Sequence, residues 1–357
     1  MRTFGFIYVS LWLWGCGSKS EPTDTSTQTE ISTQTETSTE SDTATQTSTE
    51  TETATETETA TETETATEPE PDPVDCEAIG SQEVDYETLY GFSTAEDFTF
   101  DELGNLVAVK NGNLVRINLD GDVVDTISVN ISSGSDWNMA GTSILSNGDI
   151  VIADAGNGTV LRVGSNGSQT VILAGVNYPN GVTVGTDGLV YVSGNTYGQV
   201  FKVNPDTFES EVIATGIAGA NGMAFSPDGQ TLYVGSYPNS TVWRVERDGD
   251  GWDSPELLGT YGSGGIDGIN VDVCGYLYAT EYVQGRIWRL DPTQDPVTSE
   301  VIVTLPSGWI PNLHWGRHGN NPLIPGFSNE VLYVADRDQG RLFALQVGVR
   351  GTPQGYD

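Results

Sequence analysis

The chain has 357 residues, 43 of them Gly and 16 Pro, with 50 acidic against 14 basic side chains, a formal charge of −36 and three Cys. So acidic a chain lacks the Lys/Arg surface that phosphate contacts require, which excludes a nucleic-acid-binding protein. No run of 18 apolar residues exists, which excludes a polytopic helical membrane protein, and three Cys are too few for a disulfide scaffold.

Residues 1–16, MRTFGFIYVSLWLWGC, place Arg2 before an apolar run from Phe4 to Trp14. That run has the length of a signal-peptide core and is too short to span a bilayer. It ends at Leu13-Trp14-Gly15-Cys16, which resembles the lipobox of bacterial lipoproteins, whose Cys is acylated; Trp14 departs from the small or aliphatic residue usual there. A lipoprotein-type signal with lipid on Cys16 is expected. An ordinary secretory signal with an incidental Cys is the other reading, and both export the chain.

Residues 17–75 are nearly all Thr, Ser, Glu, Gln and Ala, with TETAT units and a Pro-rich end, and hold 16 acidic side chains against one Lys. Such a stretch has too little apolar surface to offset the entropy of ordering it, and like charges extend it, so a disordered linker is expected. As a coil it would reach about 40–45 Å. Compositional drift without a role is the bland alternative. With a lipid-type Cys at one end, a stalk is expected to hold the rest of the chain on the bacterial envelope, at the outer membrane or cell surface.

Residues 76–357 carry 34 acidic and 12 basic side chains and are rich in Gly and in short β-branched and aromatic runs, which points to all-β structure. One pattern recurs: LVAVKNGNLVRINLDG from Leu106, DIVIADAGNGTVLRVGSNG from Asp149, LVYVSGNTYGQVFKVNPDT from Leu189, TLYVGSYPNSTVWRVERDG from Thr231, YLYATEYVQGRIWRLDPT from Tyr276 and VLYVADRDQGRLFALQVG from Val331. Turn glycines 104, 148, 188, 229 and 275 precede the first five at intervals of 44, 40, 41 and 46. Four strands in about forty residues make a β-propeller blade, and six units predict six blades. The sixth lacks an outer strand at its end. EVDYETLYGF, from Glu83 to Phe92, resembles the outer strands and is expected to complete it, closing the ring. The turn with Cys274 would lie on the same face as the start of that strand, just after Cys76. A Cys76–Cys274 disulfide is one reading, and a buried and an exposed thiol the other.

Eight residues before each turn glycine stand Glu96, Ala140, Asn180, Asn221 and Asp267. Innermost strands line a propeller's channel, so equivalent positions share one height and the four polar side chains converge at its mouth. All four offer oxygen and none is His or Cys, a set suited to a hard cation such as Ca²⁺. Asn-Gly and Asp-Gly are also common turn dipeptides that cap backbone groups, so simple turns are the competing reading.

NGMAFSPDGQTLYVGSY from Asn221, IDGINVDVCGYLYAT from Ile266 and AEDFTFDELGNL from Ala95 resemble the SMP-30/gluconolactonase family. They are also similar to the related paraoxonase, diisopropyl-fluorophosphatase and strictosidine-synthase-like proteins. The likeness extends over 83–346. It implies a Ca²⁺ or other divalent ion held by Glu96, Asn180, Asn221 and Asp267, and hydrolysis of lactones, aryl esters or phosphotriesters as small-molecule substrates. Asp267 is then the candidate to activate water or to attack directly. His314 and His318, in NLHWGRHGNN, are candidates for a proton-shuttling role, with a structural role at the long insertion before the last repeat, Gly316 to Asn329, as the alternative. Beyond the membrane reached through Cys16, no macromolecular partner is evident. A non-catalytic propeller used for binding or scaffolding is the second functional reading, and a metal-free synthase or lyase on the same fold the third.

Overall fold

The computed structural model describes Val74, Cys76 and residues 83–92, 96–131, 139–317, 326–337 and 339–352. The signal segment with Cys16, the linker before Val74, and His318 lie outside the described residues.

Six antiparallel sheets form the blades of a propeller. Their innermost strands are Phe98–Phe100, Met139–Ile144, Pro179–Val184, Ala220–Phe225, Ile266–Val271 and Leu313–Trp315. The second strands are Leu106–Lys110, Ile150–Asp154, Val190–Gly194, Thr231–Ser236, Leu277–Glu281 and Leu332–Asp336. Third strands follow at Asn113–Ile117, Thr159–Val163, Gln199–Val203, Thr241–Asp248, Arg286–Asp291 and Arg341–Leu345. Outer strands come next in blades one to five, at Val123–Ser128, Gln169–Ala174, Ser210–Thr215, Glu256–Thr260 and Thr298–Thr304; blade four adds a short strand at Gly251–Trp252. The outer strand of blade six is Tyr86–Tyr90, antiparallel to Arg341–Leu345 with Thr88 opposite Phe343, so the first strand of the domain closes the last blade. The five predicted turn glycines all take left-handed backbone, with φ from 67° to 88°, a conformation that glycine adopts without steric cost.

A blade is covered on both faces, which is why its second strand reads as an unbroken apolar run rather than an alternating one. Ile150–Asp154 and Val190–Gly194 are buried at every position, whereas Val123–Ser128 at the rim is nearly all exposed. The apolar side chains gather in a cluster at each junction between adjacent blades, as where Phe98 and Phe100 of blade one meet Tyr333 and Leu342 of blade six. Cys76 and Cys274 are joined in a disulfide with Cα atoms 5.7 Å apart. The C-terminal segment reaches the same turn, since Val273 N–H donates to Arg350 O and Thr352 N–H to Val271 O. Both ends of the folded chain are thus fastened to one turn of blade five.

Candidate functional site

Asn180, Asn221 and Asp267 owe their aim to a local irregularity. The pairing of each innermost strand with its neighbour breaks between Pro179 and Val182, between Ala220 and Met223, and between Ile266 and Ile269. Each interval contains an Asn-Gly or Asp-Gly pair. Such bulges leave residues out of the ladder and redirect a side chain. Hydroxyls hold two of them, as Ser193 Oγ accepts from Gly181 N–H and Thr280 Oγ1 from Gly268 N–H, each at 2.8 Å. The glycine that follows each polar residue has a packing cause. A Cβ at Gly181 would collide with the Asn221 carbonyl, and one at Gly222 with that of Asp267. The innermost strands therefore close on one another at this level.

Asn180, Asn221 and Asp267 are buried, at 6%, 5% and 4% exposure. Asn221 hydrogen-bonds Asp267; because a carboxylate only accepts, the Asn221 amide N–H donates, and its carbonyl oxygen is not used in that bond. Burial pushes the Asp267 carboxyl well above its ordinary range, and the charge of Glu96 adds to the rise. Burial likewise raises Glu96 to about 7, opposed by the Arg337 guanidinium and reinforced by Asp97. Two carboxylates desolvated side by side call for a compensating positive charge. Among the described residues no group of three His, Cys, Asp and Glu gathers as a metal cluster. The donors here are instead two carboxylates and two amides, an all-oxygen set that fits a hard divalent cation.

Arg337 supplies positive charge at the mouth, with Nη1 2.6 Å from Glu96 Oε2. Counting from turn glycines did not find it, because it follows the second strand of blade six, beyond the insertion that replaces that blade's turn glycine. Aligning the ends of the second strands would have found it. The next residues are Asn111, Ala155, Asn195, Tyr237, Tyr282 and Arg337. Tyr237 and Tyr282 pack edge to face with ring centroids 5.6 Å apart, and Tyr282 packs at a tilt against Trp309 with centroids 6.0 Å apart. Gly265 makes room for them, since a Cβ there would strike the Tyr237 ring. Tyr178, two residues before Asn180, feels the charges of Glu96, Arg337 and Asp267, and burial raises its hydroxyl pKa. Tyr178, Tyr237 and Trp309 remain 43%, 36% and 40% exposed, forming an aromatic rim over the acidic floor.

His314 lies in the channel wall with both ring nitrogens engaged. Asn270 Oδ1 accepts from Val271 N–H, so its Nδ2 is the group 3.2 Å from His314 Nδ1. Nδ1 is therefore the acceptor, and Nε2–H donates to Asp97 Oδ1 at 2.8 Å. The other oxygen of Asp97 accepts from Thr142 N–H at 2.8 Å. His314 thus holds Asp97, the neighbour of Glu96, across blades six, one and two. Glu281 also has a structural place: fully buried, it accepts from Ser263 and Gly264 N–H and from Trp288 Nε1.

Residues 180–323 match the SMP-30/Gluconolactonase/LRE-like region, a span that includes Asn180, Asn221, Asp267 and His314 but neither Glu96 nor Arg337. A 6-deoxy-6-sulfogluconolactonase from Pseudomonas putida is 34% identical over 162 residues, covering 43% of this chain and 54% of the relative. A gluconolactonase from Zymomonas mobilis is 26% identical over 223 residues, covering 54% of this chain and 61% of the relative. The aligned part thus spans only 54% to 61% of these relatives' own lengths. The solved structure of a calcium-binding protein, regucalcin, from Agrobacterium tumefaciens superimposes with a TM-score of 0.58 at 17% identity, over 76% of this chain and 96% of that one, a likeness of fold. The motifs at 221–237 and 266–280 lie inside the matched span, and the chain carries an SMP-30/gluconolactonase/LRE-like region on a six-bladed propeller.

Proposed function

We propose that this propeller is a divalent-cation-dependent hydrolase of lactones or related esters, with Ca²⁺ as the first candidate, displayed from the bacterial envelope through the acidic linker and a lipid on Cys16. The observation that carries the reading is the pair of desolvated, mutually interacting carboxylates, Glu96 and Asp267, with Asn221 hydrogen-bonded to Asp267 and Asn180 buried at the matching place on the neighbouring innermost strand. The names of the two relatives supply the reaction class, ring opening of a sugar lactone. The apolar run before Cys16 and the Thr/Glu-rich stretch after it support the tether.

Glu96, Asn180, Asn221 and Asp267 would hold the ion, and a cation so held polarises a carbonyl oxygen. Asp267, oriented by Asn221, is the carboxylate placed to take the proton of an incoming water or to attack the carbonyl itself. Tyr178, Tyr237, Tyr282 and Trp309 cover the substrate ring and limit water at the floor. With His314 bound on both nitrogens, these steps do not draw on it.

The test is thermal stability of the purified chain in Ca²⁺ and in EDTA, followed by hydrolysis of a panel of γ- and δ-lactones and aryl esters. Calcium is expected to raise the midpoint, and Asp267→Asn and Asn221→Ala to remove most of that rise and lower kcat/KM by roughly 10² or more. A calcium shift with no turnover on any substrate would favour the binding-module reading.

A further inference from the structure

The connection that leads into Asp267 has almost no side chains of its own to hold it. Residues 262–265 read Gly-Ser-Gly-Gly, and Gly262 and Gly265 take left-handed backbone, with φ of 72° and 85°. So glycine-rich a segment loses much backbone freedom on ordering, and its place depends on what it is fastened to. Glu281 supplies two of those fastenings. Its side chain is fully buried at the end of the second strand of blade five. Oε1 accepts from Ser263 N–H at 2.8 Å and from Gly264 N–H at 3.0 Å. Oε2 accepts from Trp288 Nε1–H at 2.9 Å and lies 3.4 Å from Arg286 Nη1. A Cβ at Gly262 would collide with that carboxyl, and one at Gly264 would press on Glu281 Cγ and on Gln284, so segment and carboxylate fit closely. Gly265 N–H donates to Ser240 Oγ, and Tyr282 and Val283 N–H donate back to Gly265 O and Gly264 O.

Resting on the hydrolase reading above, we propose that Glu281 is a positioning residue for the cation site, acting on Asp267 through residues 262–265. Glu281 lies opposite Ile266 in the pairing of the first two strands of blade five, and the ladder then breaks until Ile269. Asp267 stands inside that break, so the segment before it and the bulge together set where its carboxylate points. The same side chain ties the rim to the floor. Tyr282 follows it directly, and Gly265, where a Cβ would strike the Tyr237 ring, belongs to the segment it holds. At the same place in the strand, blade three has Gly194 and blade four has Ser236, whose hydroxyl donates to Ala218 O. The buried carboxylate with two backbone N–H partners stands in the blade that brings Asp267. A group that orients a ligand without touching the ion governs affinity through geometry.

Calorimetric titration of the metal-stripped full-length protein with Ca²⁺, for wild type, Glu281→Met, Glu281→Gln and Trp288→Phe, tests this. Hydrogen exchange of the calcium-free proteins is read over residues 262–267. Glu281→Met keeps length and burial but offers no acceptor, so the segment is expected to exchange faster and calcium binding to weaken about tenfold or more. Glu281→Gln removes the charge but can turn its amide oxygen to both N–H groups, and is expected to bind calcium close to wild type. Its amide N–H then faces Trp288 Nε1–H, so it should melt lower. Trp288→Phe removes a donor from Oε2 alone; it too is expected to melt lower, with calcium affinity unchanged, which separates positioning from a loss of stability. Gly264→Ala keeps the carboxylate and displaces the segment, so it is expected to weaken calcium binding as well, and it serves where Glu281→Met does not fold. Wild-type affinity in Glu281→Met and Gly264→Ala, or a loss in Glu281→Gln equal to that in Glu281→Met, would overturn this inference while leaving the cation site standing. No calcium binding by wild type would overturn the hydrolase reading and this one with it.

Discussion

Asp97 and Asp272 show what single buried carboxylates do here. Asp97 binds two N–H donors of its own and the next blade, together with a histidine whose tautomer Asn270 dictates. In Asp97→Asn the new amide has one N–H side, which must face either Thr142 N–H or His314 Nε2–H. At least one donor is left unmet, and two if the amide turns to the side shared by Phe98 N–H and His314, so a loss of about 1–3 kcal/mol is expected in denaturant titration. Asp272 accepts from Cys274 and Tyr276 N–H and from the Tyr278 hydroxyl, and burial still raises its pKa from 3.8 to about 6. A carboxyl raised on folding favours the folded state when protonated. Its contribution is present in full below about pH 4 and is lost as pH rises through about 6. Asp272→Asn keeps the acceptor for both N–H groups and has no charge to bury. Relative to wild type it should therefore gain stability between pH 4 and pH 8, by up to about 3 kcal/mol, measured as the difference between the two titration curves.

The innermost strands join fold and function through the bulge and the glycine after each polar residue. Gly268 is the sharpest case, because a Cβ there would press into Pro311 and Asn312 of blade six. Gly268→Ala is expected to cost about 1–3 kcal/mol of stability. It should also weaken calcium binding more than a rim change such as Tyr178→Phe, with both read by calorimetry and melting. This scale also decides what the residues alone made legible. Glu96, Asn180, Asn221 and Asp267 stand at a constant offset from a turn glycine, and in blades three to five that offset survives because strand length and bulge are the same, whereas Glu96 lies just before the shorter strand Phe98–Phe100, whose pairing is unbroken. In blade six the segment between Leu313–Trp315 and Leu332–Asp336 is long and lacks that glycine, so the count finds neither Pro311 nor Arg337. Tyr178 and Trp309 precede their strands on connections whose course depends on the neighbouring blade, and alternation along a strand carries no sign of them.

At the scale of the molecule, six blades could be counted because each is one local unit whose apolar second strand announces it. Closure by Glu83–Phe92 could be read only from what blade six lacked. The Cys76–Cys274 bond spans 198 residues. A cross-link over so long a loop removes much of the freedom of the unfolded chain, so its reduction is expected to lower stability by about 2–5 kcal/mol, visible as a shift in the denaturation midpoint with dithiothreitol. The pairing of Tyr86–Tyr90 with Arg341–Leu345 has a further consequence for how the molecule is made. Synthesis delivers Tyr86 first and Leu345 last, so the strand that seals the ring must wait while some 250 residues are added, on the order of ten seconds or more. During that interval it is an open sheet edge with no legitimate neighbour. Glu83, Asp85 and Glu87 lie in or beside it, and negative charge on a waiting edge repels premature pairing with another copy. The acidity of this short segment is thus of the sign that disfavours such pairing until the last blade is made.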